Sequence, residues 1–150
     1  AAAALLGVCQ VMSHEGQAAM RLEALAGAVR AGAYPFGWRG DASDWAQMIA
    51  ALLARGEPPA VAAARFHETL AAMMVAAAQR AALADICLSG GCFQNRRLLE
   101  TATRRLAAAG FRVWRHREIP PNDAGLALGQ LAAAVARRGR RPPARDGLAI

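Results

Sequence analysis

Two short polar turns hold the residue types from which a ligand site could be built: Ser89-Gly90-Gly91 leading to Asn95, and, further along, Pro120-Pro121-Asn122-Asp123. Glycines without a Cβ let the backbone turn sharply and come close to a ligand. A helix opening near Asn95 would then aim its unpaired N–H groups at anionic oxygens. The same glycine pair also fits an ordinary tight turn. Asp123 has two readings as well. It could be a carboxylate at a helix N-terminus, stabilised by the orphan amides there; if Asn122 does the capping, it is an oxygen ligand available to a metal.

These turns need elements to hold them. Ile86, Cys87 and Leu88 form a brief apolar run closed by glycines, and Phe111, Val113 and Trp114 form a second. Between them Leu98, Leu99, Ala102, Leu106 and Ala109 recur at helical spacing, with Arg96, Arg97, Glu100, Arg104 and Arg105 on the other face. The pattern predicts a strand-helix-strand unit with parallel strands, so both turns leave the sheet at its carboxyl edge and face one crevice. The preceding chain is helical. Ser13 is expected to cap a helix to about Arg30, a second helix runs from Ser43 to Arg55, and Pro58-Pro59 starts a long third one with Phe66, Leu70, Met73 and Ala77 on its buried face. Within that helix His67 reads as a hydrogen-bonded structural histidine. Residues 32–40 read as an irregular connection, Leu126 onward as a further helix, and 139–150 as a flexible basic tail.

Composition bounds the function classes. The chain has 150 residues, 55% hydrophobic and 19% charged, enough for one domain with an alanine-rich core. The apolar runs are too short to span a bilayer, and the cytoplasm is the expected compartment. Cys9, Cys87 and Cys92 form neither a CxxC pair nor an even set, which argues against a disulfide framework and a structural zinc site. Cys9 and Cys87 read as small buried hydrophobes. Cys92 lies in the ligand turn without a local base, so no catalytic nucleophile is assigned. All the positive charge is arginine, and it is polarised: residues 1–85 carry six arginines against seven acids, residues 86–150 twelve against four. The arginines at 96, 97, 104 and 105 fit one solvated helix face and have no interleaved aromatics for base stacking. Nucleic acid is therefore not the expected partner, and an acidic protein or nucleotide is the secondary reading.

Four segments, taken together and in order, resemble the C-terminal part of the hydrogenase-maturation carbamoyltransferase family, HypF: Ser13-His14-Glu15-Gly16-Gln17-Ala18-Ala19-Met20-Arg21-Leu22-Glu23, Arg65-Phe66-His67-Glu68-Thr69-Leu70-Ala71, Leu88 to Arg96, and Pro120 to Gln130. The resemblance implies an α/β fold, part of an actin-like ATPase (ribonuclease-H-like) domain related to the transfer-RNA threonylcarbamoyl transferases. In that family the domain passes a carbamoyl group from carbamoyl-adenylate to the C-terminal cysteine of the partner HypE, on the way to the cyanide ligands of the nickel-iron centre. Carried over position by position, Gly16, Ser89, Gly90, Gly91 and Asn95 would bind ATP or carbamoyl-adenylate. Asp123 would be a ligand of a divalent metal, whether zinc, iron or magnesium. Three positions depart from the family pattern: His14 stands for tyrosine, Cys92 for valine and Ala124 for glycine. The family's helical histidine pair and its earlier Gly-rich nucleotide turn have no counterpart here. The expectation is thus the second half of one domain over residues 1–138, completed by N-terminal domains of the same polypeptide. The alternatives are a non-catalytic remnant or interaction module of the same fold, or part of a threonylcarbamoyl transferase.

Overall fold

Pro59 has a φ already close to the helical value and no N–H to lose, and it opens a 23-residue helix, Pro59–Ala81, around which the rest is arranged. The computed structural model describes residues 1–54 and 56–139. In chain order the elements are α1 (Ala2–Leu5), α2 (Gln17–Ala26), β1 (Gly37–Arg39), β2 (Ala42–Asp44), α3 (Ala46–Leu53), α4 (Pro59–Ala81), β3 (Asp85–Leu88), α5 (Arg96–Ala108), β4 (Arg112–Arg115) and α6 (Leu126–Gly139), with 3-10 turns at Gly91–Gln94 and Asp123–Gly125. Of the basic tail expected over 139–150, Gly139 instead closes α6, and the rest lies outside the described residues.

Three buried clusters follow one another along α4, and alanine supplies its side of each. Ala63 and Ala64 pack with Leu22, Ala26, Ala3 and Cys9; Ala62 meets Tyr34, Met48 and Leu52; Ala71 and Ala78 meet Leu88, Phe93, Ala102 and Leu106. Side chains this short let α2 and α5 approach α4 closely and still fill the space between them. The buried face differs from the one expected. Met73 is buried, but Phe66 and Leu70 are only half-buried and Ala77 is exposed, because the alanines are the contact surface. Besides His67, two polar residues on α4 are buried with partners. Glu68 accepts from Arg105 Nε at 2.7 Å and Arg104 Nη2 at 3.3 Å. Thr69 Oγ1 accepts from the Tyr34 amide at 2.8 Å and donates to the Arg65 carbonyl at 2.7 Å.

The strand-helix-strand unit forms as expected. Strand β3 pairs with β4 in parallel, with Asp85 opposite Arg112 and Leu88 opposite Arg115. The first pair of the register is held by two hydrogen bonds from Arg112 to Asp85, at 2.8 and 2.6 Å, which hold the exposed Asp85 carboxyl below its usual range together with one from Trp114.

Elsewhere the structure corrects the sequence reading. Gly16, at φ 78°, and not Ser13, is the residue from which α2 departs, because its left-handed backbone breaks the path between them. Ser13 instead donates its amide to Gln17 Oε1 at 2.8 Å. Residues expected to be irregular form half of an antiparallel hairpin, with Trp38 opposite Ser43, and α3 begins only after Asp44 has accepted the Ala46 amide at 3.0 Å. Arg80 anchors this hairpin to the end of α4 by stacking 4.8 Å over Trp38 and donating to the Gly40 carbonyl at 2.8 Å. Cys9 is buried, but Cys87 is exposed, because nothing among the described residues covers its face of the sheet. No helix among the described residues is long and apolar enough to cross a membrane.

Candidate functional site

Ser89 and His116 stand one residue past the paired ends of β3 and β4, so the parallel register puts them side by side. Ser89 Oγ lies 2.9 Å from His116 Nε2. Beyond them the chain turns at Gly90 with φ 105°, a backbone open to glycine and strained for other residues. The Gly90 amide donates to the Pro121 carbonyl at 2.8 Å, and a Cβ built on Gly91 would lie 3.8 Å from that of Asn122. The two polar turns are thus clasped together at the carboxyl edge of the sheet.

The second turn is self-supporting. Asn122 Oδ1 accepts the Ala124 amide at 3.3 Å and its carbonyl accepts the Gly125 amide at 3.0 Å. Asn122 therefore does the capping, and the Asp123 carboxylate is left exposed on the rim. Position 124 is also exposed, which explains why alanine fits there. Position 125 is closed: a Cβ would stand 2.7 Å from the Pro120 carbonyl oxygen and 3.0 Å from Ile119 Cγ2. Gly125→Ala should therefore destabilise the fold by about 1–3 kcal/mol through overpacking, read as a lowered denaturant midpoint. An unchanged midpoint would mean the turn relaxes freely.

The clasp divides the site residues between two cavities. One, of about 480 Å³, is lined by Ser89, Gly90, His116, Asn122, Asp123 and Gly125. The other, of about 320 Å³, opens between the start of α2 and the glycine turn, lined by Glu15, Gly16, Glu23, Gly91, Cys92 and Asn95. All six residues singled out from the sequence reach one cavity or the other, with Gly90 and Gly91 between them.

The helix end behind the turn differs from expectation. The first-turn amides of α5 were expected to face a ligand, but Glu23 Oε1 takes the Arg97 amide at 2.8 Å and Asn95 Oδ1 takes that of Leu98 at 2.8 Å. With those donors occupied, the amides offered to a ligand are those of the glycine turn itself: among the described residues neither Gly91 nor Cys92 has a partner for its N–H. Arg97 is not solvated either. Its guanidinium turns inward to the carbonyls of Gly27 and Val29 at the end of α2, while Arg104 and Arg105 pair with Glu68. Of the four arginines Arg96 and Arg104 match the solvated reading, with side chains mostly exposed: Arg96 forms an ion pair with Glu100 on the same helix, and Arg104 reaches Glu68 only at its tip.

His67 is the residue whose place sequence reasoning identified only in part. It is 2% exposed, with Nδ1 2.7 Å from the Ala63 carbonyl and Nε2 3.0 Å from Asn95 Nδ2. It is structural as expected, and it also touches a candidate ligand-binding side chain. Burial, above all, pushes its pKa below the usual histidine value.

A metal needs several converging donors. Among the described residues no three His, Cys, Asp or Glu side chains come together to hold one, so Asp123 does not make a metal site with the residues around it.

Comparison with known proteins agrees with this geometry. Residues 1–130 match the family described as carbamoyltransferase, Kae1-like domain, second subdomain. Carbamoyltransferase HypF2 of Cupriavidus necator is 37% identical over 91% of this chain, and carbamoyltransferase HypF of Rhodobacter capsulatus is 43% identical over 91%. The chain spans about a fifth of the length of these relatives, 21% and 19% respectively. The crystal structure of full-length HypF in the phosphate- and nucleotide-bound form superposes with a TM-score of 0.74 at 30% identity, covering 95% of this chain and 20% of that one. The T. kodakarensis HypF structure gives 0.73 at 25% identity, covering 91% and 19%. The α/β, actin-like reading of the fold is borne out by these matches. On sequence and on structure alike, the chain belongs to the HypF carbamoyltransferase family and corresponds to the second subdomain of its Kae1-like domain.

Proposed function

We propose that residues 1–138 form the C-terminal portion of the carbamoyl-transferring domain of a longer cytoplasmic polypeptide. Its substrate is carbamoyl-adenylate, its acceptor is the C-terminal cysteine of HypE, and its product feeds cyanide-ligand synthesis for the nickel-iron centre. The observation that supports this most is the clasp, which places the turn amides of Gly91 and Cys92 and the Asn95 carboxamide on one side and Asp123 on the other. The nucleotide-bound state of the full-length HypF structure is consistent with that use of the turn.

In the transfer step the acceptor thiolate attacks the carbamoyl carbon. A carbon–sulfur bond forms, the bond from that carbon to the adenylate phosphate oxygen breaks, and AMP leaves with the electron pair. The part assigned to this chain is binding and orientation. The Gly90-Gly91 backbone cradles anionic oxygens, Asn95 donates to the nucleotide, Gly16 lets the start of α2 come close to it, and Ser89 lines the cavity on the other side of the clasp. Asp123 would supply one ligand to a divalent metal, with donors from beyond the described residues completing the set.

The test is Asn95→Ala in the full-length polypeptide. Losing this hydrogen bond should weaken ATP binding by roughly 1–3 kcal/mol, measured by calorimetry. Binding as tight as the parent's would remove Asn95, and with it this use of the turn.

A further inference from the structure

Four residues behind the glycine turn permit only one arrangement of protons. The Leu98 amide can only donate, and it lies 2.8 Å from Asn95 Oδ1, so the oxygen of the carboxamide faces the helix. The nitrogen therefore faces His67, at 3.0 Å from Nε2. That nitrogen can only donate, so Nε2 accepts and the imidazole proton sits on Nδ1, from which it is donated to the Ala63 carbonyl at 2.7 Å. Three bonds in series thus run from the backbone of α4 to the first turn of α5.

We propose that His67 is a positioning residue of the nucleotide site: its neutral, Nδ1-protonated ring fixes the Asn95 carboxamide so that Asn95 offers its remaining N–H to an acceptor atom of the nucleotide. The inference rests on the reading that Asn95 contacts the nucleotide, and it deepens that reading by setting the polarity of the contact. Asn95 lines the cavity beside Gly16 and Gly91, and both its Oδ1 and one Nδ2 hydrogen are already used within the fold. What remains for a ligand is chiefly a donor. That suits a phosphate or ribose oxygen or an unprotonated ring nitrogen, and it disfavours a ligand N–H at the same place.

The arrangement has a built-in sensitivity to acid. A second proton on Nε2 would set donor against donor, and the carboxamide could answer only by flipping, which breaks the bond to the Leu98 amide. The charged groups facing His67 come from both helices packed on α4. Glu23 of α2 favours the imidazolium, and Arg97 of α5 opposes it; burial, the largest influence, holds the ring neutral around pH 7.

The experiment measures ATP affinity of the full-length polypeptide by calorimetry for the parent, His67→Phe, Asn95→Ala and the double variant. Phenylalanine keeps the ring and removes the acceptor, so His67→Phe should weaken binding roughly 5- to 10-fold. Asn95→Ala should weaken it at least as much, and the double variant should bind no more weakly than Asn95→Ala alone, because a residue acting through Asn95 has nothing left to position. Parent-like affinity in His67→Phe, with a loss in Asn95→Ala, would overturn the positioning role and leave the nucleotide contact standing. Fully additive losses would overturn it too. Parent-like affinity in Asn95→Ala would overturn the contact and the positioning role together.

Should His67→Phe fail to fold, the parent and Asn95→Ala are compared as the pH is lowered from about 7.5 to about 5.5. The parent should lose more affinity than Asn95→Ala, with the difference opening below the ordinary histidine value. Equal losses would overturn the proposal, because the two proteins differ only at Asn95 and every other group is common to both.

Discussion

Asp123→Ala in the full-length polypeptide should retain the fold and lose both bound metal and carbamoyl transfer. The carboxylate is exposed, and the turn beneath it is held by Asn122 through the Ala124 amide, so nothing in the local structure depends on Asp123. Altering a residue that merely supports a metal ligand costs roughly 10- to 100-fold in affinity, and removing a ligand outright should exceed that. The measurements are metal content after dialysis, transfer of the carbamoyl group to the acceptor cysteine by intact mass, and far-UV circular dichroism as the control. Full metal retention and parent-like transfer would show that Asp123 is not a ligand. The 150-residue chain by itself should retain little metal under the same dialysis, since one carboxylate is a poor site.

The largest effect on stability is expected at Leu106. Its side chain has no exposed surface, and it sits where α4, α5 and β3 meet, against Ala71, Ala102, Leu88 and Phe93. Leu106→Ala should cost about 2–5 kcal/mol, in the upper part of that range if the alanines around it cannot move in to fill the void. Denaturant unfolding would show it as a shifted midpoint with an unchanged slope. A cost below about 1 kcal/mol would mean the cluster does not hold the strand-helix-strand unit against α4.

The parts of this fold legible in the sequence are those with local causes. A proline pair marks the start of α4, the apolar runs at residues 86–88 and 111–114 mark paired strands, and Asn122 announces a cap at the turn it occupies. The hairpin was not legible, since strands of three residues are too short to show an alternation. The buried face of α4 is not legible from its large side chains, because alanines make the contacts. The longest-range errors sit at the site itself. Nothing near Arg97 tells that Glu23, seventy-four residues earlier, takes its amide, or that its guanidinium closes the end of α2. His67 looked structural because its partner Asn95 lies twenty-eight residues away, on an element whose position only the packed fold reveals.

The bond from the Gly90 amide to the Pro121 carbonyl joins two turns that line different cavities. If a nucleotide at one turn and a metal at the other each favour the same geometry of that bond, their affinities are linked. Whatever factor the nucleotide adds to metal binding, the metal must add to nucleotide binding. Occupancy of either cavity then reports on the other, and a polypeptide carrying only one of the two ligands would hold it more loosely than one carrying both.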